Sequence, residues 1–424
     1  MFLYRLLATS ALLAYSPFAL LRSLAGRREL GDIRGRLGRS AYPDLDGGVW
    51  VHAVSVGEVG VARSLLESIA RKAPGRRLGL SVTTRAGRDL AERTARGVPV
   101  FAFPLDLSRA VDRALASVRP GLILLTETEL WPLFLQRAQA RGIPVALVNG
   151  RLSERSWKGY RLVRRWFSGV LANVSRFGMQ TERDAERIAA LGASAAKIQV
   201  IGNLKYDVDS PPPFPDAERI RTAARGRPVI VAGSTREGEE SLVLEAWKRL
   251  SVPTLLALAP RRPERFEAVA TDLERRGERV LRRSGPAASE ATVYLLDSIG
   301  ELASLYREGT MAFLGGSLVP TGGHNPIEAW AAGSPVVVGP HTENFAEVVE
   351  RGEKLGILRR VADAAELARA WEQSLADPAA TKRTGAMAER FVAENRGAAD
   401  RTADFVLSLL PAGVSSPASV SSAG

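Results

Sequence analysis

Short apolar runs alternate with amphipathic stretches along most of the chain from residue 49 onward. Each run is followed by a polar or glycine-containing turn and a helix-like stretch, which is typical of buried parallel strands joined by crossover helices. A first series of runs lies at 49–54, 78–83, 122–125, 144–148 and 177–180, and a second lies at 228–232, 254–259, 292–296, 311–314 and 335–338. The pattern predicts an α/β protein with two Rossmann-like, doubly wound domains.

A proline-rich stretch at 207–215 separates the two series and indicates a linker. We therefore expect an N-terminal Rossmann-like domain at 31–206, a linker at 207–219 and a C-terminal Rossmann-like domain at 220–410. Ligands of open α/β sheets bind beyond the carboxyl ends of the strands, so the loops of both domains are expected to face a common cleft. The small, polar tail at 411–424 is expected to be disordered.

An uncharged, mostly apolar stretch at 6–21 lies between Arg5 and Arg22, and further arginines follow it. It is slightly short for a membrane span of about 20 residues, and Pro17 interrupts it. A cleaved signal peptide is the alternative, although no convincing cleavage site follows. The positive-inside rule leaves the rest of the chain in the cytoplasm, so we expect a membrane anchor at 1–30 and a location on the cytoplasmic face of the inner membrane.

Lysine and arginine outnumber aspartate and glutamate by 58 to 46, which gives a net charge of +12. The excess indicates an anionic partner, and we expect a phosphorylated substrate or an acidic membrane surface because no motif that reads nucleic acid is present. No cysteine occurs, which excludes disulfides, thiolate zinc sites and thiol catalysis. The stretch at 156–167 interleaves aromatic residues with cations, a pattern that suits anionic lipid headgroups or, alternatively, a core-packed helix with a charged outer face.

The most informative stretch, at 315–328, is rich in glycine and lies between a predicted strand and a predicted helix. Such a turn offers unpaired backbone N–H groups, which attract an anion together with the helix N-terminus. Asn325 can cap that helix, and Glu328 is suited to accept ribose hydroxyl groups. The stretch is therefore interpreted as a nucleotide site, against the alternative of a glycine-rich turn without a ligand. The predicted donor-binding residues are Gly315, Gly316, Ser317, Gly322, Gly323, His324, Asn325 and Glu328.

Further strand-to-helix junctions in the second half support a nucleotide cradle. At the junction at 232–239, the hydroxyl groups of Ser234 and Thr235 can bind phosphate. At the junction at 260–266, paired guanidinium groups can bind it through parallel hydrogen bonds, and a further junction lies at 297–302. The alternative for the stretch at 260–266 is that its arginines lie at a solvated helix start and bind no ligand. The donor-binding residues predicted at these junctions are Ser234, Thr235, Arg261, Arg262, Gly300 and Glu301.

Acidic residues follow two strands of the first domain: Glu58 after one, and Glu127 and Glu129 after the other. Their place at strand ends suggests a general base with a partner that tunes its pKa or binds a hydroxyl group. The alternative for Glu58 is a glutamate that only favours the helix dipole. The Asp-x-Asp pair at 44–46 precedes the first predicted strand and the pair at 207–209 lies at the linker, so we expect no catalytic metal. No cofactor is expected either.

Together these features resemble the Kdo transferases of Gram-negative bacteria, which attach 3-deoxy-D-manno-octulosonic acid (Kdo) to lipid A. The resemblance extends to about residue 400 and is carried by blocks at 52–59, 127–132, 148–153, 202–207, 233–235, 260–266 and 315–328. It implies a two-domain B-type glycosyltransferase fold, the donor CMP-Kdo, inversion at the anomeric carbon and no metal. It implies that Glu58 is the catalytic base and that Glu127 or Glu129 supports it.

Within the same blocks we assign acceptor binding to Ser55, Gly57, Arg151 and Ser153. The acceptor implied by the resemblance is a lipid A precursor, lipid IVA, and a phosphorylated lipid accounts for both the anchor and the arginine excess. Arg262 stands where the family usually has a histidine. The alternatives are a nucleotide-sugar epimerase, which needs no lipid acceptor, and a non-catalytic membrane scaffold that binds nucleotides, which leaves the acidic strand ends unexplained.

Overall fold

A computed structural model describes residues 35–38, 42–286 and 290–410. The predicted membrane anchor at 1–30 and the predicted tail at 411–424 lie outside these residues. Among the residues described, no helix combines the length and the apolar character that crossing a bilayer requires. The chain forms two compact units: the first ends at Asp207 and resumes at Gly397, and the second comprises Val208–Arg396.

The first unit is built on a seven-stranded parallel sheet with the order β3-β2-β1-β4-β5-β6-β7. The strands are β1 (Val49–Ala53), β2 (Leu78–Val82), β3 (Val100–Ala102), β4 (Leu122–Thr126), β5 (Val145–Gly150), β6 (Arg176–Met179) and β7 (Ile198–Val200). The helices are α1 (Val56–Lys72), α2 (Arg85–Thr94), α3 (Ser108–Val118), α4 (Pro132–Gln139), α5 (Glu154–Leu162), α6 (Arg164–Leu171) and α7 (Glu182–Ala190). The chain direction across the sheet reverses between β1 and β4, as in other doubly wound folds.

The second unit repeats this plan with the order β10-β11-β9-β8-β12-β13-β14, again all parallel. Its strands are β8 (Val229–Thr235), β9 (Leu255–Pro260), β10 (Val280–Arg282), β11 (Val293–Leu295), β12 (Met311–Leu314), β13 (Val336–Val338) and β14 (Leu358–Arg360). Its helices are α8 (Ala217–Ala224), α9 (Glu239–Lys248), α10 (Phe266–Arg275), α11 (Leu302–Leu305), α12 (Ile327–Ala331), α13 (Ala346–Lys354), α14 (Ala364–Ala376) and α15 (Pro378–Asn395). The reversal here falls between β8 and β12, so the loops after these two strands are neighbours.

Both faces of the first sheet are buried, which explains why its strands are continuous apolar runs. Successive residues of a strand point to opposite faces, and β1 shows this directly: Trp50 packs into one apolar cluster, whereas Val49 and Val51 pack into the other. In β4, Ile123 joins the cluster of Trp50, and Leu124 joins the opposite one. The sheet is therefore the middle layer of a three-layer unit, as the apolar runs predicted.

Every predicted run forms a strand, with ends shifted by only a few residues. Four strands escaped the prediction: β3, β7, β10 and β14. Each is three residues long, and each lies at an edge of its sheet. An edge strand is less enclosed than a central one, so it needs no long apolar run to mark it.

The last described helix, α16 (Ala398–Leu407), belongs to the first unit. The expectation that the C-terminal domain extends to residue 410 is therefore wrong beyond Arg396. Apolar residues of α16, Ala399 among them, join the core beside α1, and the Lys72 ammonium lies 2.8 Å from the carboxylate of Asp404. The carboxylate of Asp207, predicted to lie in a linker, instead accepts backbone N–H groups at the start of α16.

Candidate active site

The functional side chains of the first unit lie where β1 and β4 end side by side. Helix α1 begins directly after β1, with Ser55 as its N-cap and Glu58 in its first turn. The Glu58 side chain folds back over the helix start, where Oε2 accepts the N–H of Val54 at 3.0 Å and Oε1 accepts the hydroxyl of Ser55 at 3.1 Å. Glu58 is only 7% exposed. The helix start thus fixes a buried carboxylate at the end of the sheet.

Thr126, the last residue of β4, completes the surroundings of Glu58. Its hydroxyl oxygen lies 2.7 Å from Oε2 of Glu58 and 2.9 Å from the carbonyl oxygen of His52. A hydroxyl group has one proton to donate. When Glu58 is ionised, the hydroxyl of Thr126 donates to the carboxylate of Glu58. When Glu58 is protonated, the hydroxyl accepts from Glu58 and donates to the carbonyl of His52. Both protonation states of Glu58 are therefore accommodated without an orphaned polar group.

Burial raises the pKa of Glu58, and the negative charge of Glu127 raises it further, against the hydrogen bonds from Thr126, Val54 and Ser55, which lower it. A carboxylate with a raised pKa is a better proton acceptor than a solvated one. Glu58 does more than favour the helix dipole, because its side chain contacts Thr126 on β4 as well as the start of its own helix.

Glu127 follows Thr126 in a left-handed conformation, with a φ of 53° that few residues other than glycine adopt. Its backbone N–H donates to the carbonyl of Val148 on β5, which holds this conformation in place. The carboxylate Oε1 lies 3.0 Å from Nζ of Lys205, and both side chains are partly buried. Strained backbone of this kind is concentrated at functional sites.

Glu129 lies close enough to Glu58 and Glu127 for their negative charges to change its pKa. Burial and the like charges of Glu58 and Glu127 raise its pKa to about 7, so it is partly protonated near neutral pH. The charge of Glu129 in turn helps burial to raise the pKa of Tyr160 on α5. The structure thus brings the three predicted carboxylates together, and the pKa values of Glu58 and Glu129 are raised there.

The predicted acceptor residues lie at the start of α1 and in the segment that leads from β5 to α5. The hydroxyl of Ser55 donates to Glu58, and Gly57 is exposed, with only Ser55 Oγ within 4 Å of where a side chain would begin. The carbonyl of Arg151 accepts the hydroxyl of Thr128, which ties the loop after β5 to the loop after β4. Ser153 caps α5 by accepting the N–H of Ser156 at 3.1 Å. These residues therefore shape the loops around the carboxylates.

The junction of α5 and α6 carries an exposed apolar group, which we name the α5–α6 corner and define as Leu162, Val163 and Trp166. Leu162 is 88% exposed. Cations flank the corner on both sides: Arg161, Arg164 and Arg165 are all exposed. The core-packed alternative for this stretch holds only for its inner side, where Tyr160 stacks on buried Phe167 at 4.2 Å.

In the second unit, the glycine-rich turn after β12 packs against the end of β8. A Cβ atom on Gly315 would lie 2.4 Å from the carbonyl oxygen of Ser234, so only glycine fits. Ser234 itself has a left-handed φ of 57°. The close approach of these two loops brings the first residues of α9 beneath the glycine turn.

The expectation that this turn offers unpaired N–H groups is wrong for its first part. The carboxylate of Glu239, the first residue of α9, accepts the N–H groups of Gly316, Ser317 and Leu318. It also accepts the N–H of Arg236 at 2.9 Å. The anion in this turn is therefore a residue of the chain itself.

Several other predicted donor contacts have internal partners. The hydroxyl of Thr235 donates to Glu240, and the hydroxyl of Ser317 donates to the carbonyl of Leu314. The carboxylate of Glu301 accepts Arg283 at 3.0 Å, and Gly300 beside it has a left-handed φ of 90° in open surroundings. The side chains of Thr235, Ser317 and Glu301 therefore have hydrogen-bond partners within the second unit.

Positive charge is concentrated beside the turn instead. Arg236, Arg261 and Arg262 lie close enough for the charges of Arg262 and Arg261 to add to burial in lowering the pKa of Arg236. The Nε–H of Arg236 lies 3.3 Å from Nε2 of His324. Burial and the charges of Arg261 and Arg236 lower the pKa of His324 to about 3, so the ring is neutral and its proton is on Nδ1. Such a cluster suits a phosphate or carboxylate.

The second part of the turn matches its prediction more closely. Asn325 lies one residue before Pro326, the N-cap of α12, and its Oδ1 accepts the N–H of Ile327, the first residue of the helix, at 3.1 Å. Glu328 is exposed in the first turn of that helix. Gly322 and Gly323 both have left-handed φ values, and a Cβ on Gly322 would lie 2.4 Å from the amide of Asn344.

Sequence reasoning missed Thr126, Lys205, Arg236 and Glu239 as site residues. The strand-end position of Thr126 and Arg236 was a usable signal, whereas the contacts of Lys205 and Glu239 bring together residues that are distant in sequence. Three of the four Asp-x-Asp carboxylates are engaged elsewhere: Asp44 and Asp46 pair with Arg119, and Asp207 accepts backbone N–H groups at the start of α16. Within the described ranges, no group of three or more metal-ligating side chains is arranged to hold an ion.

The family model for 3-deoxy-D-manno-octulosonic-acid transferase (kdotransferase) matches residues 31–208. The 3-deoxy-D-manno-octulosonic acid transferase of Haemophilus influenzae is 34% identical over 421 residues, which cover 95% of this chain and 98% of that protein. That of Bordetella pertussis is 37% identical and covers 87% of this chain and 89% of its own length.

Among solved structures, CalG4, the calicheamicin glycosyltransferase, superposes with a TM-score of 0.52. The match covers 86% of this chain and 98% of that chain at 16% sequence identity. At this identity the likeness concerns the fold alone. The two parallel sheets therefore form a B-type glycosyltransferase fold, as predicted.

Proposed function

Because the chain belongs to the family of 3-deoxy-D-manno-octulosonic acid transferases, which are glycosyltransferases, we propose that it transfers Kdo from CMP-Kdo to a hydroxyl group of lipid IVA, a lipid A precursor. The reaction would serve lipopolysaccharide core biosynthesis and invert the configuration at the anomeric carbon. The observation that carries this proposal is the buried carboxylate of Glu58, held by Ser55 and Thr126 at the carboxyl edge of the first sheet.

In the proposed reaction Glu58 is the general base. Its carboxylate takes the proton of the lipid hydroxyl as the hydroxyl oxygen forms a bond to the anomeric carbon of Kdo. The bond between that carbon and the phosphate oxygen breaks, and its electron pair leaves with CMP. The hydroxyl of Thr126 can hydrogen-bond to Glu58 throughout this step: it donates to the carboxylate before proton transfer and accepts from the carboxylic acid afterwards.

The leaving phosphate gains negative charge, and we assign its stabilisation to Arg236, Arg261 and Arg262. Guanidinium groups remain charged at every physiological pH, so they meet this charge without proton transfer. His324, with a pKa of about 3, is neutral and serves as a hydrogen-bonding partner instead of an acid. These residues supply the positive charge that the donor needs, so the proposed reaction requires no metal.

Glu127 and Glu129 complete the acceptor side in this proposal. Glu127 is paired with Lys205, which holds one negative charge in place, and partly protonated Glu129 can donate a hydrogen bond to the acceptor sugar. Arg151 and Ser153 hold the loop on which the acceptor would rest. We assign the acceptor-binding role to the whole group and the proton-accepting role to Glu58.

A lipid acceptor calls for a membrane surface, and we propose that the chain works at the cytoplasmic face of the inner membrane. The α5–α6 corner supports this, because exposed apolar side chains flanked by arginines suit an anionic lipid surface. Tyr160, which lies near enough to Glu129 for the charge of Glu129 to add to burial in raising its pKa, is on the same helix as Leu162. The N-terminal anchor predicted from the sequence would act with this corner.

The test of the proposed function is the mass of the product. The full chain in detergent is incubated with CMP-Kdo, generated in place, and tetra-acylated lipid A precursor in the presence of a chelator. A mass gain of one or more Kdo units is expected, and Glu58→Gln should form this product at least about 10²-fold more slowly. Absence of product from the wild type, with and without magnesium, would overturn the proposal and reopen the epimerase and scaffold alternatives.

A further inference from the structure

Glu239, the first residue of α9, is a buried glutamate whose carboxylate contacts the glycine-rich turn after β12. The side chain is fully buried, with 0% of its surface exposed. Oε1 accepts the N–H groups of Ser317 and Leu318, each at 2.9 Å, and Oε2 accepts those of Gly316 at 2.5 Å and Arg236 at 2.9 Å. Four backbone donors therefore converge on one carboxylate.

Successive backbone N–H groups that point to one spot form an anion-binding nest. In many nucleotide-binding loops such a nest receives a phosphate. Here the nest formed by Gly316, Ser317 and Leu318 is filled by Glu239, so a ligand phosphate has no access to these donors. The ligand's anionic groups must then be held by other residues.

We infer that the anionic groups of the ligand are held by the arginine cluster, Arg236, Arg261 and Arg262. Glu239 also holds the backbone of Arg236. The backbone N–H of Arg236 donates to Glu239, while its guanidinium donates to His324. Glu240, the next residue, is turned away from the nest and binds Arg265 through both of its oxygens, at 2.7 and 3.0 Å. The two adjacent glutamates therefore have separate roles, and only Glu239 joins the glycine turn to the arginine cluster.

We propose that Glu239 is a positioning residue of the donor site, in which its carboxylate acts as a built-in anion that holds the turn after β12 and the backbone of Arg236 in the donor-binding geometry. This inference rests on the proposed assignment of the donor site to the second unit. It predicts that the donor phosphate is bound by Arg236, Arg261 and Arg262, and that the nest serves only to keep the loops in register.

The test measures binding of CMP to the full chain by calorimetry, which needs no turnover. Glu239→Ala should raise the Kd for CMP by about tenfold or more, equivalent to about 1.4 kcal/mol. Sodium formate should restore most of the affinity, because formate is a carboxylate small enough to enter the emptied nest, and sodium chloride at the same ionic strength should not. Glu237→Gln removes the same charge from an exposed residue of the same loop and should leave the Kd unchanged.

The outcomes separate this inference from the proposed function. If wild-type protein fails to bind CMP, the donor-site assignment falls. If wild type binds CMP and folded Glu239→Ala binds equally well, or is weakened without any response to formate, the positioning role is overturned while the donor site stands. Should Glu239→Ala not fold, Glu239→Gln carries the test: in either orientation its NH2 group faces two backbone N–H groups that now donate to a carboxylate oxygen, and an unchanged Kd would refute the proposal.

Discussion

The ammonium of Lys205 lies 3.0 Å from Oε1 of Glu127, a contact between residues that are 78 positions apart in the chain. Lys205 belongs to the segment that follows β7, whereas Glu127 follows β4. The pair brings a cation to a cluster of three carboxylates, of which two have raised pKa values. It therefore offsets part of the repulsion that Glu58, Glu127 and Glu129 exert on one another.

Replacing Lys205 by methionine should destabilise the first unit, because it leaves Glu127 unpaired beside two like charges. The double variant Lys205→Met, Glu127→Gln should recover part of the loss, with a coupling energy of about 1–3 kcal/mol in a double-mutant cycle on the free energy of unfolding. Denaturant unfolding at one fixed pH checks this. Strictly additive effects of the two substitutions would contradict the pairing.

Glu58→Gln should reduce kcat by at least about 10²-fold, since the variant keeps the shape of the site but loses the proton acceptor. The affinity for CMP should not change, because Glu58 belongs to the unit that does not hold the proposed donor site. Glu67→Gln, an exposed residue on the same helix, is the matched control and should retain wild-type rates. Comparable kcat values for Glu58→Gln and Glu67→Gln would rule out the base assignment.

Thr126→Val removes a hydrogen bond that favours ionised Glu58, so it should raise the pKa of Glu58 further. A base must be ionised to act, and the rate falls as pH drops through its pKa. The acidic limb of the kcat profile should therefore move to higher pH in Thr126→Val, whereas Thr126→Ser should retain the wild-type profile. An acidic limb at the same pH in all three proteins would show that Thr126 does not act on the base.

Glu129 should make the protein less stable as pH rises. Its pKa is raised from 4.5 to about 7 in the folded protein, so between these values the folded state binds more protons than the unfolded state. The free energy of unfolding consequently falls as pH increases across this window, by about 1–3 kcal/mol for a partly exposed group.

The comparison with Glu129→Gln isolates this effect. The melting temperature of the variant minus that of the wild type should increase from about pH 5 to about pH 8, because only the wild type must ionise a poorly solvated carboxyl group. Glu92→Gln, an exposed residue on α2, should show a constant difference over the same range. A constant difference for Glu129→Gln as well would mean that Glu129 titrates as in the unfolded chain.

The α5–α6 corner should contribute to membrane binding. Leu162→Asp with Trp166→Asp places two negative charges among the arginines there, and should weaken binding of the full chain to vesicles that contain anionic phospholipid. Met387→Asp changes an exposed apolar residue of the second unit and serves as the control. Co-sedimentation that is equal for the double variant and the control would assign membrane binding to other parts of the chain.

The sequence allowed the central strands to be predicted because burial on both faces demands long apolar runs, as in Leu122–Thr126. The edge strands lack that signal: β14 reads Leu358-Arg359-Arg360, and both arginines are exposed. A three-residue strand with charged side chains cannot be told from a loop by hydrophobic pattern. Edges were therefore the part of the fold that local sequence did not reveal.

The candidate site shows the same division. Glu58 and Glu127 follow strands, so their place at the end of the sheet could be predicted from sequence alone. The role of Glu239 could not, because three of the four N–H groups it accepts belong to residues 77 to 79 positions away. A glycine-rich turn looks the same in sequence whether its donors await a ligand or are satisfied by a side chain, and only the tertiary structure distinguishes the two.

The return of the chain to the first unit at α16 sets an order of events during synthesis. The second unit, Val208–Arg396, is fully translated before α16 leaves the ribosome, and domains generally fold as they emerge. Until then, the apolar surface of α1 that receives Ala399 and Ala403 remains uncovered. The first unit is thus the first to be synthesised and the last to complete its core. The nascent chain therefore exposes an apolar, aggregation-prone surface through most of its translation.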